Sequence, residues 1–294
     1  MNVFITGAGG FLGKYIIRNL LQKESLRVFG TSLFDKDLQE FCGQENFSFV
    51  PNDAVLDFDF SVIDVVVNCA FPRAMDGAGF ANGLDFLSQL LQRIEPQTGC
   101  GFIDISSQSV YSFTRQEPAN EQTQRVLEAA YDVGKYCMEM LVDARLKDHK
   151  RVHLRLASLI GPKFDQRLVN KFVKKVIAGE DIVLKGGKQL FGFLDVRDCA
   201  DAICTVVNQW DRVTDAGEIF NIGAEDSNSL VRIAEIAVTV GKELGYEETK
   251  IILNETDDWM NSSLDSSKFY SYFNWKPCHK MVDTVHAIFD ADLT

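Results

Sequence analysis

A glycine-rich loop close to the N-terminus restricts the fold of this chain more than any other feature. Residues 2–6 form a short apolar run, residues 6–13 read TGAGGFLG, and an apolar helical pattern follows. Glycines in such a loop permit a tight turn and let a pyrophosphate approach the backbone. The N–H groups at the start of the following helix then point toward the phosphates. Strand, loop and helix together predict a dinucleotide-binding site.

Apolar runs alternate with helical patterns through the first half of the chain. The predicted strands cover 2–6, 27–31, 47–50, 64–68, 101–106 and 151–156. The predicted helices cover 10–22, 83–94, 124–147, 170–178, 199–209 and 230–245. This alternation predicts an α/β fold, a doubly wound parallel Rossmann sheet of six strands with helices on both faces. Gly and Pro punctuate the later segments, which predicts a smaller, interleaved α/β substrate domain.

The expected domain bounds follow from that change of pattern. We assign 1–157 and 192–222 to the dinucleotide-binding Rossmann domain. The substrate-binding domain is expected at 158–191 and 223–294.

Charge and cysteine content restrict the partners and the compartment. The chain has 30 Lys+Arg and 42 Asp+Glu, a net charge of −12, so neither nucleic acid nor an anionic membrane is expected as a partner. Its seven cysteines are scattered without a Cys-x-x-Cys pair, which predicts a reduced, cytoplasmic protein and no metal site. The first strand starts directly after Met1, where a signal peptide would have no room. The four histidines have no evident carboxylate or Cys partner in the sequence, so we expect packing or surface roles for His149, His153, His279 and His286.

Tyr131 and Lys135 are four residues apart and therefore share one face of the predicted helix 124–147. A nearby ammonium stabilises a phenolate, so the phenol can exchange a proton with a substrate oxygen. The same spacing recurs at 246–250 and 272–276. Only the first pair follows the fifth predicted strand, where the carboxyl edge of the sheet faces a bound dinucleotide.

Residues 106–111 read SSQSVY, which resembles the Ser-Ser-x-x-Val-Tyr pattern of the extended short-chain dehydrogenase/reductase superfamily. Further matches follow in the family order over essentially the whole chain, at 68–71, 154–162, 193–202 and 220–223. The chain is most similar to the NAD(P)-dependent nucleotide-sugar epimerase/dehydratase family. This resemblance implies a catalytic set of Ser107, Tyr131 and Lys135, in which Ser106 is a weaker alternative to Ser107.

The resemblance also implies the residues that contact NAD or NADP. They are Gly7, Gly10, Phe11, Leu12, Gly13, Ser32, Asp53, Ala54, Cys69, Ala70, Phe71, Tyr131 and Lys135. Ser32 stands where an acidic residue would hold the ribose of NAD. The sequence therefore favours NADP slightly, with Arg27 or Lys36 as candidate cations. Asp35 and Asp37 weaken this preference, and NAD remains open.

A nucleotide sugar is the implied substrate. Its implied contacts are Asn82 at the opening of a helix, Gln108, Ser158, Arg167 and Phe191. Phe191 stands where many relatives carry an arginine that contacts the diphosphate, and such a contact is charge-assisted and strong. Arg167, Lys171 and Lys185 are the cations that can replace it.

The residues after Ser107 distinguish the possible reactions. Dehydratases of the family place Asp-Glu there, whereas this chain has Gln108 and Ser109. Fucose-synthase-like epimerase-reductases carry Cys in place of Ser109 and His in place of Arg167. The remaining chemistry is transfer of a hydride and one proton, by a 4-epimerase or a 4-ketoreductase of a nucleotide-linked sugar. The alternatives are a reductase of a non-nucleotide carbonyl compound and a non-catalytic dinucleotide-binding sensor. The resemblance also implies a homodimer formed through helices 83–94 and 124–147.

Overall fold

Strands and helices alternate along the chain, which the computed structural model describes at residues 1–72, 77–214 and 217–292. The strands are β1 (Asn2–Thr6), β2 (Arg27–Gly30), β3 (Phe47–Phe49), β4 (Val65–Asn68), β5 (Gly101–Ser107), β6 (Arg151–Leu156), β7 (Ser158–Ile160), β8 (Ile182–Lys185), β9 (Leu190–Phe191), β10 (Phe193–Asp195), β11 (Glu218–Ile222), β12 (Asn228–Ser229) and β13 (Ile251–Asn254). The helices are α1 (Phe11–Leu20), α2 (Gly77–Ile94), α3 (Ala130–Arg145), α4 (Leu168–Ile177), α5 (Val196–Asn208), α6 (Leu230–Glu243), α7 (Ser267–Phe273) and α8 (Met281–Asp292).

The central sheet has the strand order β11-β6-β5-β4-β1-β2-β3. The strand pairs from β3 to β6 are all parallel, and the order reverses between β1 and β4, as in a doubly wound fold. The predicted fold class is therefore confirmed. All six predicted strands are present within one residue at either end, because parallel strands buried on both faces are continuous apolar runs. The prediction of six strands is wrong, since β11 adds a seventh.

Two helices begin six residues away from their predicted starts. The predicted helix 124–147 begins only at Ala130. The residues predicted as its first turn are not helical, since the N–H of Val126 bonds to the carbonyl of Val110. The Asp132 carboxylate accepts the N–H of Ala129 at the actual start of the helix. Conversely, α2 begins at Gly77 and not at residue 83.

The chain divides into two compact units. The first comprises Met1–Val110, Arg125–Leu156 and Ala200–Phe220, and the second comprises Tyr111–Gln124, Ala157–Cys199 and Asn221–Thr294. The predicted domains have two segments each, whereas each unit has three, and they assign 111–124, 157, 192–199 and 221–222 to the first part. The binding role of each part stays a prediction.

Each unit has its own apolar core. In the first, the apolar faces of α2 and α3 cover one side of the sheet through residues such as Leu87, Leu91 and Val142. In the second, α4, α6 and α8 pack around Val173 and Ile233. No helix within the described ranges combines the length and apolar character required to span a bilayer.

Candidate active site

The glycine loop forms a backbone cradle at the carboxyl end of β1. Gly7 has a φ of +62°, and a Cβ there would lie 2.8 Å from the nitrogen of Ala70. A Cβ on Gly13 would lie 2.6 Å from the carbonyl oxygens of Gly7 and Ala8. The helix α1 starts beyond Gly10, and the N–H groups of its first turn have no acceptor within the helix. The glycines thus let the loop pack closely against the segment after β4 and let α1 pack against the loop, and the N–H groups at the start of α1 fit the pyrophosphate of a dinucleotide.

Ser32 and Asp37 pack against the same loop. A Cβ on Gly9 would lie 2.3 Å from Ser32 Oγ and 2.6 Å from Asp37 Cβ. The buried Ser32 hydroxyl donates a hydrogen bond of 3.3 Å to Asp37 Oδ2. The predicted cation Arg27 lies at the opposite end of β2 with its guanidinium over Phe29, so its assignment to this site is wrong. The Asp37 carboxylate thus lies beside the glycine loop, whereas the sequence predicted only that Asp37 weakens the preference for NADP.

The other predicted dinucleotide contacts follow β3 and β4. Asp53 and Ala54 belong to the 3-10 turn Asn52–Asp57, in which Asp53 is exposed. Cys69, Ala70 and Phe71 follow β4 directly and are half-buried. Burial raises the pKa of the Cys69 thiol to about 12, so this residue is a neutral thiol and not a nucleophile.

Phe71 links the predicted catalytic tyrosine and lysine. The Lys135 ammonium lies 4.1 Å from the centroid of the Phe71 ring, and the Tyr131 ring meets the same ring edge-on at 5.0 Å. The intervening Gly134 makes this packing possible, since a Cβ there would lie 3.2 Å from Phe71 and 2.7 Å from Phe80. No role is predicted for Gly134 from the sequence. Its position one residue before Lys135 was the available signal.

Ser107 belongs to strand β5, and Lys135 contacts the same strand from α3. The Lys135 Nζ donates a hydrogen bond of 2.7 Å to the carbonyl of Ile105, and Ser107 ends the strand two residues later. Ser107 Oγ accepts the N–H of Ser109 at 3.2 Å. Tyr131 stands in the first turn of α3 with 40% of its surface exposed. The three predicted catalytic residues therefore lie at the carboxyl end of β5 and on the first turns of α3.

Ser106 is occupied elsewhere. Its hydroxyl donates a hydrogen bond of 2.5 Å to Glu139, which also forms a buried ion pair with Arg155 at 2.7 Å. Successive side chains of a strand point to opposite faces, so Ser106 and Ser107 cannot share an environment.

A row of polar side chains crosses four neighbouring strands beneath the glycine loop. Thr6 pairs in register with Asn68, Asn68 with Asp104, and Asp104 with His153. Each pair is hydrogen-bonded, at 2.7, 3.2 and 3.1 Å respectively. The other ring nitrogen of His153 lies 3.2 Å from Asp143. Burial alone would lower the pKa of His153, but the bonds to both carboxylates outweigh it and raise this pKa to about 9.

The expectation that the histidines lack carboxylate partners is therefore wrong for His153. It is wrong also for His279, whose Nδ1 lies 2.7 Å from Asp198 Oδ1, and His286 has a longer contact of 3.7 Å to Glu243. His149 bonds through its ring nitrogens to the carbonyls of Cys100 and Glu95, in agreement with a packing role.

Residues predicted to contact substrate in the first unit have different environments. Gln108 is buried directly after Ser107. Asn82 is exposed inside α2, so the expectation that it opens this helix is wrong. Ser109 was not predicted as a site residue, yet it is buried and its Oγ has no hydrogen-bond partner within the described ranges. The Ser109 hydroxyl, two residues after Ser107, can therefore form a hydrogen bond with a bound molecule.

The predicted substrate residues of the second unit lie on β7, β9 and the start of α4. Ser158 pairs in register with Phe193, and the Phe193 ring stacks on Phe191 at 5.3 Å and an interplanar angle of 8°. Arg167 precedes the first turn of α4, and its guanidinium lies 4.8 Å from the centre of the Phe164 ring.

Comparison with known proteins finds relatives that match nearly the whole chain. The dTDP-D-glucose 4,6-dehydratase of Mus musculus is 23% identical over 309 residues, which cover 94% of this chain and 84% of that protein. UDP-glucuronic acid decarboxylase 6 of Arabidopsis thaliana is 24% identical over 304 residues, which cover 96% of this chain and 85% of that protein. Among solved structures, the UDP-glucuronic acid 4-epimerase of Bacillus cereus in complex with NAD superposes with a TM-score of 0.84 at 23% identity, covering 99% and 98% of the two chains.

The family assignment rests on a match to a family profile. The sequence profile described as "NAD dependent epimerase/dehydratase family" matches residues 3–223, which include the glycine loop, β5 and the first turns of α3. The chain belongs to the NAD dependent epimerase/dehydratase family and is an NAD(P)-dependent enzyme of the extended short-chain dehydrogenase/reductase type.

Proposed function

We propose that this enzyme is a 4-epimerase of a nucleotide-linked sugar. A dinucleotide held by the glycine loop would supply the hydride acceptor and donor for a sugar carbon. Tyr131 exchanges the proton of the sugar hydroxyl, and Ser107 donates a hydrogen bond to the oxygen whose charge changes during the transfer. Lys135, whose ammonium bonds to Ile105 and lies against the Phe71 ring that Tyr131 also contacts, supplies the positive charge that favours a phenolate.

The observation that carries this proposal is the identity of the two residues after Ser107. Gln108 and Ser109 are both buried, and neither supplies a carboxylate. Loss of water from a sugar requires a group that removes a carbon-bound proton and a group that protonates the leaving hydroxyl. An epimerase needs only the hydride and the single proton that Tyr131 exchanges. The absence of such carboxylates therefore favours epimerisation over the dehydratase reaction named for a relative.

Substrate contacts are proposed for both units. Asn82 and Gln108 are the proposed contacts from the first unit, and Ser158, Arg167 and Phe191 from the second. Because Phe191 has no charge, we assign the diphosphate to Arg167 at the start of α4, aided by Lys171. Lys185 is not included, since it forms an ion pair of 2.8 Å with Asp258.

We propose NAD as the preferred cofactor, in place of the slight preference for NADP that the sequence predicts. The Asp37 carboxylate, which accepts the Ser32 hydroxyl, can accept a ribose hydroxyl but repels a 2′-phosphate. We also propose that the first unit binds the dinucleotide and that the second supplies most of the contacts to the sugar nucleotide. A homodimer formed through α2 and α3 and a cytoplasmic location complete the proposal.

Incubation with UDP-glucose, UDP-glucuronic acid and dTDP-glucose tests the reaction. The nicotinamide absorbance and the product, identified by NMR, are recorded together. A 4-epimer formed without a net absorbance change supports the proposal. A product that has lost water or carbon dioxide would overturn the proposal. It would also be overturned if only a 4-keto sugar were turned over, with stoichiometric consumption of NAD(P)H. Tight NAD binding without turnover on any of these compounds would indicate a sensor.

A further inference from the structure

Three potential metal ligands meet in the second unit, outside the proposed catalytic and cofactor-binding residues. Asp198 lies in the first turn of α5, and Cys278 and His279 are consecutive in the segment before α8. Asp198 Oδ1 lies 3.2 Å from Cys278 Sγ and 2.7 Å from His279 Nδ1. The sulfur and this nitrogen are 3.3 Å apart. A thiol, an imidazole and a carboxylate therefore converge on one point.

We propose that Asp198, Cys278 and His279 form a zinc-binding site. Sulfur, nitrogen and oxygen ligands together suit Zn²⁺, and three protein ligands leave a fourth position for water. With the usual zinc–ligand lengths, tetrahedral ligand atoms lie about 3.3–3.6 Å apart. The observed separations are somewhat shorter. Cys278 and His279 belong to no helix or strand. Rotation of their side chains can therefore widen the ligand separations to those of a tetrahedral zinc site.

Space and access for an ion are present. A cavity of about 100 Å³ adjoins two of the three ligands, Cys278 and His279, and Asp195 and Thr284 also line it. One water takes about 30 Å³ in the liquid, so this space has room for water beside a bound ion. Glu225 and Asp226 line it as well, and Asp195 and Glu225 are paired with Arg197 and Lys276. Cys278 is exposed, so the ion reaches the ligands from solvent.

The Asp198 carboxylate is already oriented for this role. It is buried, and its second oxygen, Oδ2, accepts the main-chain N–H of His279 at 2.9 Å. This bond leaves Oδ1 directed at the thiol and the imidazole, and outer hydrogen bonds of this kind fix metal ligands. The bound ion would connect the first turn of α5 to the segment before α8.

Binding replaces protons, so the atoms balance without another reactant. Zn²⁺ displaces the thiol proton of Cys278, which goes to solvent. At His279 the ring proton moves from Nδ1 to Nε2, so the imidazole stays neutral and Nδ1 binds the ion. No group is oxidised or reduced, and the loss of the thiol proton makes binding tighter at higher pH.

The test uses the full chain without a histidine tag, freed of metal by a chelator and titrated with Co²⁺ and then Zn²⁺. We expect one equivalent of Co²⁺ to produce a thiolate-to-cobalt absorption band that Zn²⁺ abolishes. Cys278→Ser should remove this band, and Cys278→Ser and His279→Ala should each weaken Zn²⁺ binding by about tenfold or more. The matched control is Cys42→Ser, which changes another exposed cysteine and should bind both ions as the wild type does.

Circular dichroism first establishes that each variant is folded. Absence of the cobalt–thiolate band in the wild type would overturn the proposal. Equal affinity and stoichiometry of Zn²⁺ in the wild type and in folded Cys278→Ser would overturn it as well. Neither outcome depends on the proposed epimerase activity.

Discussion

The ammonium of Lys135 donates a hydrogen bond of 2.7 Å to the main-chain oxygen of Ile105, two residues before Ser107 on the same strand. This bond holds the first turns of α3 against the carboxyl end of β5. The side chains proposed to move the proton and to bind the substrate oxygen are thereby kept in a fixed relation. Substitutions at either element test that relation.

Tyr131→Phe should lower kcat by about 100-fold or more, because general acid–base catalysis contributes that much. NAD affinity, measured by fluorescence titration, should change little, since the ring and its contact with Phe71 remain. The control is Tyr136→Phe on the same helix, whose ring is covered by Arg125 at 5.0 Å. It should keep its kcat. Full activity of Tyr131→Phe would contradict the proposed mechanism.

The two neighbouring serines should respond differently to alanine. Ser107→Ala should lower kcat by about 100-fold, as expected for a lost hydrogen-bond donor to the reacting oxygen. Ser106→Ala should keep kcat but lose about 1.5–3 kcal/mol of stability, because its hydroxyl bonds to the buried Glu139 carboxylate. Steady-state kinetics and urea denaturation of both variants measure the contrast. The reverse pattern would reassign the catalytic hydroxyl to Ser106.

Stability should fall at alkaline pH through His153. Hydrogen bonds to Asp104 and Asp143 outweigh burial and raise its pKa from 6.5 to about 9 in the folded protein. A raised folded pKa means that this contribution is complete below the ordinary pKa and is lost as pH rises through about 9. Urea midpoints measured at about pH 6 and about pH 10 should therefore differ more for the wild type than for His153→Gln. Equal differences would show that His153 is not charged in the folded protein.

Asp37 should determine the cofactor preference. Asp37→Asn should raise NADP affinity relative to NAD by about five- to tenfold, since one carboxylate no longer opposes the 2′-phosphate. Equilibrium binding of both dinucleotides gives this ratio without reference to turnover. Asp35→Asn is the matched control, because Asp35 belongs to the same 3-10 turn, Asp35–Phe41, and is exposed. If the ratio of NADP to NAD affinity changed equally in both variants, the cause would be the lower net negative charge and not the position of Asp37.

Much of the first unit is predictable from local sequence. The three consecutive valines of β4 are all buried, and such a run specifies a central parallel strand. The start of helix α3 was less predictable, because its apolar pattern already begins several residues before Ala130. The helix starts only where the Asp132 carboxylate accepts the N–H of Ala129. The approach of Asp198 to His279 was not predictable at all. These residues are separated by 81 positions, and only the folded second unit brings them together.

The polar row from Thr6 to His153 has a consequence for the sheet as a whole. Its members are register partners on β1, β4, β5 and β6, so a slip of one residue in any of these strands would break hydrogen bonds that are buried. An apolar row would tolerate such a slip more easily, since its contacts are not directional. The alignment of four strands beneath the dinucleotide loop is thus coupled to the protonation of one imidazole.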